Sequence, residues 1–133
     1  MLAQMLRFSG EALGEARSYK LISAIVTPRP IAWVASRNAA GAVNLAPFSS
    51  YTFISYNPAK ILISVGPGVD VLKDTLANIE ARGEFTVSSV TAEFLDSMVD
   101  SSFAYANGES EAEALGIALE QGTSVATPFV KGV

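Results

Sequence analysis

Three short polar clusters interrupt an otherwise apolar chain, and they hold the side chains best suited to chemistry. The first is Ser36-Arg37, which closes the stretch "IAWVAS". The second runs from Asn44 to Thr52, "NLAPFSSYT", where an amide and a proline precede Ser49, Ser50, Tyr51 and Thr52 in a row. The third is Lys73-Asp74-Thr75, at the start of a helical pattern. Together they offer hydroxyls, amides, one ammonium and a helix N-terminus, the equipment for holding a phosphate and the polar edge of a ring. Four adjacent hydroxyls on one strand would point to both faces of a sheet, so one pair must face inward. A buried hydroxyl without a partner costs free energy. Pro47, in the middle of the cluster, predicts a shaped loop or a strand kink.

Each cluster also has a plain structural use. Ser36 suits the start of a turn, and Asp74 or Thr75 suits a helix cap. The second cluster suits the exposed face of a sheet. Trp33 reads as a core residue, and Glu109, Glu111 and Glu113 read as a solvated face. No single cluster decides between ligand and fold.

What is missing narrows the chemistry. The chain has no His and no Cys. A Ser-His hydrolase, thiolate catalysis, disulfides and thiolate or imidazole metal sites are therefore excluded. No G-x-G-x-x-G follows a strand, and no G-x-x-x-x-G-K-[ST] occurs; "GPGVDVLKD" fits neither spacing. The net charge of −4 argues against a sequence-independent grip on nucleic acid. No apolar run reaches the roughly 20 residues of a membrane span. "MLAQMLRFSGEALGEAR" lacks the continuous apolar core of a signal peptide. The absence of Cys suits a reducing cytoplasm, the expected location.

The 133 residues suit one domain. Hydrophobic residues make up 50% and charged residues 17%, against a usual charged share of about 25%. Few charges are available to cover a surface, so the chain is expected to bury part of its outside in a homodimer or larger assembly.

The elements that would position the clusters follow from patterning. "SGEALGEARSYKLISAIV" is a mixed segment, a short helix or turn leading into the first core residues. "RPIAWVASR" is a strand, with Ile31, Trp33 and Ala35 alternating against Ala32, Val34 and Ser36. "NAAG" and "AVNLAPF" form a short loop with Gly41 where a hairpin turn wants glycine. "SYTFISY" is a strand closed by Asn57-Pro58, and "KILISVG" is a buried strand stopped by Gly66-Pro67-Gly68. "VDVLKDTLANIEARG" is a helix, with Leu72, Leu76 and Ile79 on one face and Gly83 at the C-terminal cap. "EFTVSSVT" returns to strand. "AEFLDSMVDSS" and "ESEAEALGI" are short helices or turns, and "TSVATPFVKGV" begins another extended piece. Hairpins with helices at the periphery predict a mainly β small barrel, Greek-key-like, and not a doubly wound sheet.

The order of these motifs carries more than any one of them. "PRPIAWVAS", "G-x-V-N-L-A-P-F-S-S-Y", "N-P", "I-L-I-S-V", "K-D-T-L-x-N-I" and "G-E-F-T-V" succeed one another between Tyr19 and Pro128. This succession resembles the flavin reductase-like family with its FMN-binding split β-barrel. The resemblance implies one domain over residues 1–133, a homodimer, and FMN held near the subunit interface. By resemblance, Ser36, Lys73, Asp74 and Thr75 fall where phosphate and ribityl contacts are made. Asn44, Ala46, Pro47, Phe48, Ser49, Ser50 and Tyr51 fall where the isoalloxazine edge is read. An acidic protein must supply local positive charge to a phosphate dianion, and Lys73 is one of nine Lys and Arg residues. Hydride transfer is the cofactor's chemistry, so the lack of His and Cys is no obstacle.

Two features depart from the family's pattern. Its chains usually continue through strands that finish the barrel, help cover the flavin and admit nicotinamide, whereas this sequence ends at Val133. The family also commonly carries Asn in the strand after the helix, where this chain has Ser88. The expected function is therefore an FMN-dependent oxidoreductase that passes hydride from NAD(P)H to flavin, or through bound FMN to a small-molecule acceptor. The alternatives are an FMN store or electron carrier without nicotinamide turnover, and a structural remnant that has lost the cofactor.

Overall fold

The computed structural model describes residues 7–66, 73–106 and 108–133. Its centre is β1, Ala32–Arg37, which lies between two antiparallel neighbours, β2 (Val43–Phe48) and β5 (Thr86–Ser89). Strand alternation sorts the side chains into two cores. Trp33 and Ala35 pack with Leu45, Met98, Ala112 and Val130 on one face. Ala32 and Val34 pack with Phe48, Ala46 and Tyr51 on the other. Residues Ala32 to Ser36 are all buried, so the expected alternation of β1 is between two interiors and not between core and solvent.

Two findings correct the expected course of the next segment. "AVNLAPF" is not a loop: the turn is confined to Asn38–Gly41, with Gly41 at φ 93°, and β2 begins at Val43. Pro47 does not kink it either, since the register runs without a break from Arg37↔Val43 to Ala32↔Phe48, with Trp33 opposite Pro47. The reason lies in the edge position of β2. The Leu45 amide points away from β1 and donates to Glu111 Oε2 at 2.7 Å. Pro47, two residues on, has its nitrogen on the same outer side, where a missing N–H removes no ladder bond.

At Ser49-Ser50 the chain bends and leaves the sheet. It re-forms as a separate hairpin of β3 (Tyr51–Tyr56) and β4 (Ala59–Ile63), extended by Ser64 N donating to Ser50 O at 2.8 Å. The hydroxyl row is thus not one strand; its first two members are the bend and its last two open β3. A bulge between Phe53 and Ser55 interrupts the hairpin register. β4 was expected to be buried, yet it is exposed from Ala59 to Leu62. The third sheet pairs only β6 (Leu119–Glu120) with β7 (Phe129–Val130). Among the described residues no ladder joins the three sheets, so the barrel is not closed.

Helices fill more of the chain than strands do, which corrects the mainly β expectation to a mixed one. α1, Gly10–Ile25, takes up nearly all of the leading segment, where a short helix or turn was expected; it is broken at Gly14 (φ 67°, ψ 169°) and buries no residue. α2, Asp74–Arg82, has Asp74 in its first turn and Arg82 in its last, both favourable to the helix dipole. It ends as expected, with Gly83 at φ 69° and its N–H donating to Ile79 O at 2.7 Å. The part of that helix expected from Val69, together with the Pro67-Gly68 stop, lies outside the described residues. A 3₁₀ turn at Ala92–Phe94 leads into α3, Leu95–Asp100, and α4 spans Glu111–Ala114. No helix among the described residues is long and apolar enough to cross a membrane.

The C-terminal extended piece is tied to β5 by side chains. Ser88 Oγ accepts from Val130 N at 3.1 Å, and Thr86 Oγ1 donates to Pro128 O. Glu84 accepts from the Thr127 hydroxyl at 2.9 Å and from Ala126 N at 3.2 Å. Those bonds, the Thr127 hydroxyl foremost, hold the Glu84 carboxyl below its ordinary pKa. Ser88 therefore serves this tie.

Candidate functional site

The bend between β2 and β3 forms one wall of an open cleft of about 700 Å³. Pro47, Phe48, Ser49 and Ser50 line it from the β2 end, and Lys73 lines it from the start of α2. α1 also lines it, through Glu15 and Tyr19. Nothing in the sequence pattern singled out these two residues. The broken amphipathy of α1 carried no signal, because their placement depends on where the whole helix lies. Lys73 is exposed, and its Nζ sits 5.6 Å from the centroid of the Phe48 ring. Phe48 itself is only 7% exposed, so the ring is anchored in the core while its edge of the cleft carries the cation.

Lys73 is also the N-cap residue of α2, with no side-chain cap bond. Asp74 and Thr75 are not the caps expected of them, because both lie inside the helix and the Thr75 hydroxyl is engaged elsewhere. It accepts from Asn44 Nδ2 at 2.9 Å, and Asn78 Nδ2 donates to Ser36 Oγ at 3.2 Å. Ser36 and Asn44 are direct cross-strand partners. Four polar groups thus tie the first turns of α2 to the ends of β1 and β2. The residues Thr75 and Asn78, one turn apart, form the polar half of the helix's inner face. Its apolar half, Leu76 and Ile79, borders a separate hollow of about 330 Å³ beneath β4.

The sequence-predicted site residues therefore fall into three groups. Pro47, Phe48, Ser49, Ser50 and Lys73 share the cleft. Ser36, Asn44 and Thr75 form the network that sets the start of α2, with Asp74 lining a small adjoining pocket of about 30 Å³ beside Asn44 and Asn78. Ser36 is fully buried. Ala46 and Tyr51 pack on the Ala32, Val34 and Phe48 core. Trp33 is 0% exposed and donates from Nε1 to Ser101 Oγ at 2.9 Å, a core residue as expected.

Glu111 was misread. It is 7% exposed, not solvated, and its carboxylate caps the outward amide of Leu45. Burial pushes its pKa up, against the lowering effect of that amide. A carboxyl with a raised folded pKa adds stability while protonated, and loses that contribution as pH rises through the raised value. Relative to Glu111→Gln, the natural protein should thus lose stability as pH climbs from the ordinary carboxyl range towards neutrality. Glu111→Ala, which leaves the Leu45 amide unpaired, should cost about 1–3 kcal/mol in the ordinary carboxyl range and less as pH rises. Thermal melts across pH check both; parallel curves for the natural protein and the Gln variant would refute the buried-acid account.

Residues 24–133 match the model of the flavin reductase like domain. A relative from Deinococcus radiodurans is 39% identical over 128 residues, which is 92% of this chain and 56% of the relative. A Bacillus subtilis relative is 33% identical, with 96% of this chain and 62% of the relative covered. The chain thus spans little more than half the length of these curated relatives. Among solved structures, the 2-nitrobenzoate 2-nitroreductase of Pseudomonas fluorescens superposes with a TM-score of 0.85 at 33% identity, covering 96% of this chain and 60% of that one. Component B of the Bacillus cereus nitrilotriacetate monooxygenase gives 0.92 at 29% identity, covering 97% and 64%.

Proposed function

Because the chain belongs to the flavin reductase-like family, we propose that its cleft holds FMN and that it works as an FMN-dependent oxidoreductase. The electron donor in this reading is NAD(P)H, and the acceptor is free flavin or a small molecule. The observation that carries it is the convergence of Lys73, the start of α2, Ser49 and Ser50 on one cleft of sufficient size. The donor set fits the cofactor's parts. A phosphate dianion suits the Lys73 ammonium and the N-terminus of α2, with the amides of Asp74 and Thr75. Ribityl hydroxyls suit Ser49 and Ser50. The pyrimidine edge of the ring suits the backbone around Ala46 to Tyr51. Ser36, Asn44 and Thr75 serve this reading from behind, by setting where α2 begins. FMN, when bound, supplies the hydride-accepting chemistry, and the protein's part is binding and orientation.

A flavin store or carrier without nicotinamide turnover uses the same cleft. Anaerobic addition of NADH or NADPH to the FMN-loaded protein separates the two. Bleaching of the bound flavin at catalytic rates is expected, and a flavin that stays oxidised would leave the store reading in its place. The lack of Cys fits work in a reducing compartment such as the cytoplasm.

The same reading includes a homodimer. α1 exposes Tyr19, Ile22 and Ile25, and β3 exposes Phe53, Ile54 and Tyr56, the last at 91%. Apolar exposure on this scale marks an interaction surface. Sedimentation velocity should show a dimer at micromolar concentration. A monomer at every concentration would count against it.

A further inference from the structure

We infer that Phe48 is the positioning residue for Lys73: its ring sets where the ammonium stands in the cleft. This rests on the reading of the cleft as a site for a phosphate-bearing flavin. Lys73 has no ion-pair partner or side-chain hydrogen bond among the described residues, and its Nζ lies 5.6 Å from the Phe48 centroid. A cation over the face of an aromatic ring is attracted by the ring's quadrupole without being neutralised. A carboxylate partner would hold the ammonium as well, but would cancel the charge that an anionic ligand needs. Among the described residues that line the cleft, the carboxyl is that of Glu15 on α1, and it makes no ion pair with Lys73.

The ring is itself well placed to act as a fixed support. Phe48 is the last residue of β2, paired with Ala32 and packed on Ala32 and Val34. Lys73 enters from the other side, at the N-cap of α2, whose start is tied to β1 and β2 through Asn44–Thr75 and Ser36–Asn78. Both partners of the contact therefore sit on anchored backbone. A flexible lysine held over a fixed ring loses less freedom when the ligand arrives, which favours binding. The ligand class that gains is a monophosphate ester on a polyol chain, and the neutral analogue gains nothing.

Two measurements test this. In the ligand-free protein, the ε-methylene protons of Lys73 should be shifted upfield by the ring current relative to the other lysines, and Phe48→Leu should abolish the shift. Absence of the shift would overturn the inference without touching the proposed function. Replacing Phe48 with pentafluorophenylalanine keeps the shape but reverses the quadrupole. It should lower the ratio of FMN to riboflavin affinity by about two- to fivefold. In a Lys73→Met background the same replacement should leave the ratio unchanged. A ratio indifferent to fluorination while Lys73→Met lowers it would refute the role of Phe48 and leave the phosphate site standing. A ratio indifferent to Lys73→Met would remove the phosphate site, and the inference with it.

Discussion

Lys73→Ala should weaken FMN binding by about 1.5–3 kcal/mol, the range for a charge-assisted contact, while riboflavin affinity stays nearly unchanged. The chain carries −4 overall, so its long-range field does not favour a phosphate dianion, and a local cation must reverse the sign. Lys73 lines the cleft and caps the N-terminus of α2, where the helix dipole adds partial positive charge of its own. Lys73→Ala removes the full charge but keeps the dipole, so binding should fall and not vanish. Lys73→Arg keeps the charge and should recover most of the loss. Because the lysine is exposed, the difference between FMN and riboflavin should also shrink as salt rises. Paired titrations of both ligands at two ionic strengths check this. Equal losses for FMN and riboflavin would remove the phosphate contact from the account.

Trp33→Ala should cost about 3–5 kcal/mol of stability, the largest effect expected of a single substitution here. The indole is fully buried near the start of β1, opposite Pro47 on one side and Ser88 on the other. It packs against Phe94, with centroids 6.1 Å apart, and bonds to Ser101. Deleting it opens a cavity between the sheet and α3 that neighbouring Leu45 and Met98 cannot fill. The more telling variant is Trp33→Phe, which should lower the melting temperature while leaving FMN affinity intact well below that temperature. Lost affinity with an unchanged melt would mean that Trp33 stacks on the cofactor, contrary to its place in the core.

The parts of the fold legible in the sequence are those set by local rules. β1 was readable because Ala, Trp and Val alternate between a proline and a turn, and the end of α2 because Gly83 is the residue an αL cap requires. The three polar clusters also marked the right neighbourhood, since four of the eleven named residues, Pro47, Phe48, Ser49 and Ser50, meet Lys73 in one cleft. What stayed hidden depends on distant partners. Glu111 looks like one of several surface acids until the free amide of Leu45, 66 residues away in sequence, is brought beside it. Pro47 looks like a break until β2 proves to be an edge strand. The hydroxyls from Ser49 to Thr52 gave no sign of which would be the bend and which the strand. Serine is at home in both, and the choice follows from where β3 finds β4.

The central claim is that the cleft between α1, the β2–β3 bend and the start of α2 binds FMN. The most direct measurement is a titration of apoprotein with FMN, followed by quenching of flavin fluorescence, with riboflavin as control and the Lys73→Ala variant in parallel. The account predicts saturable binding at one FMN per chain, tighter than riboflavin, with that preference reduced in the variant. No saturable binding, or binding that treats FMN and riboflavin alike in the natural protein, would contradict it.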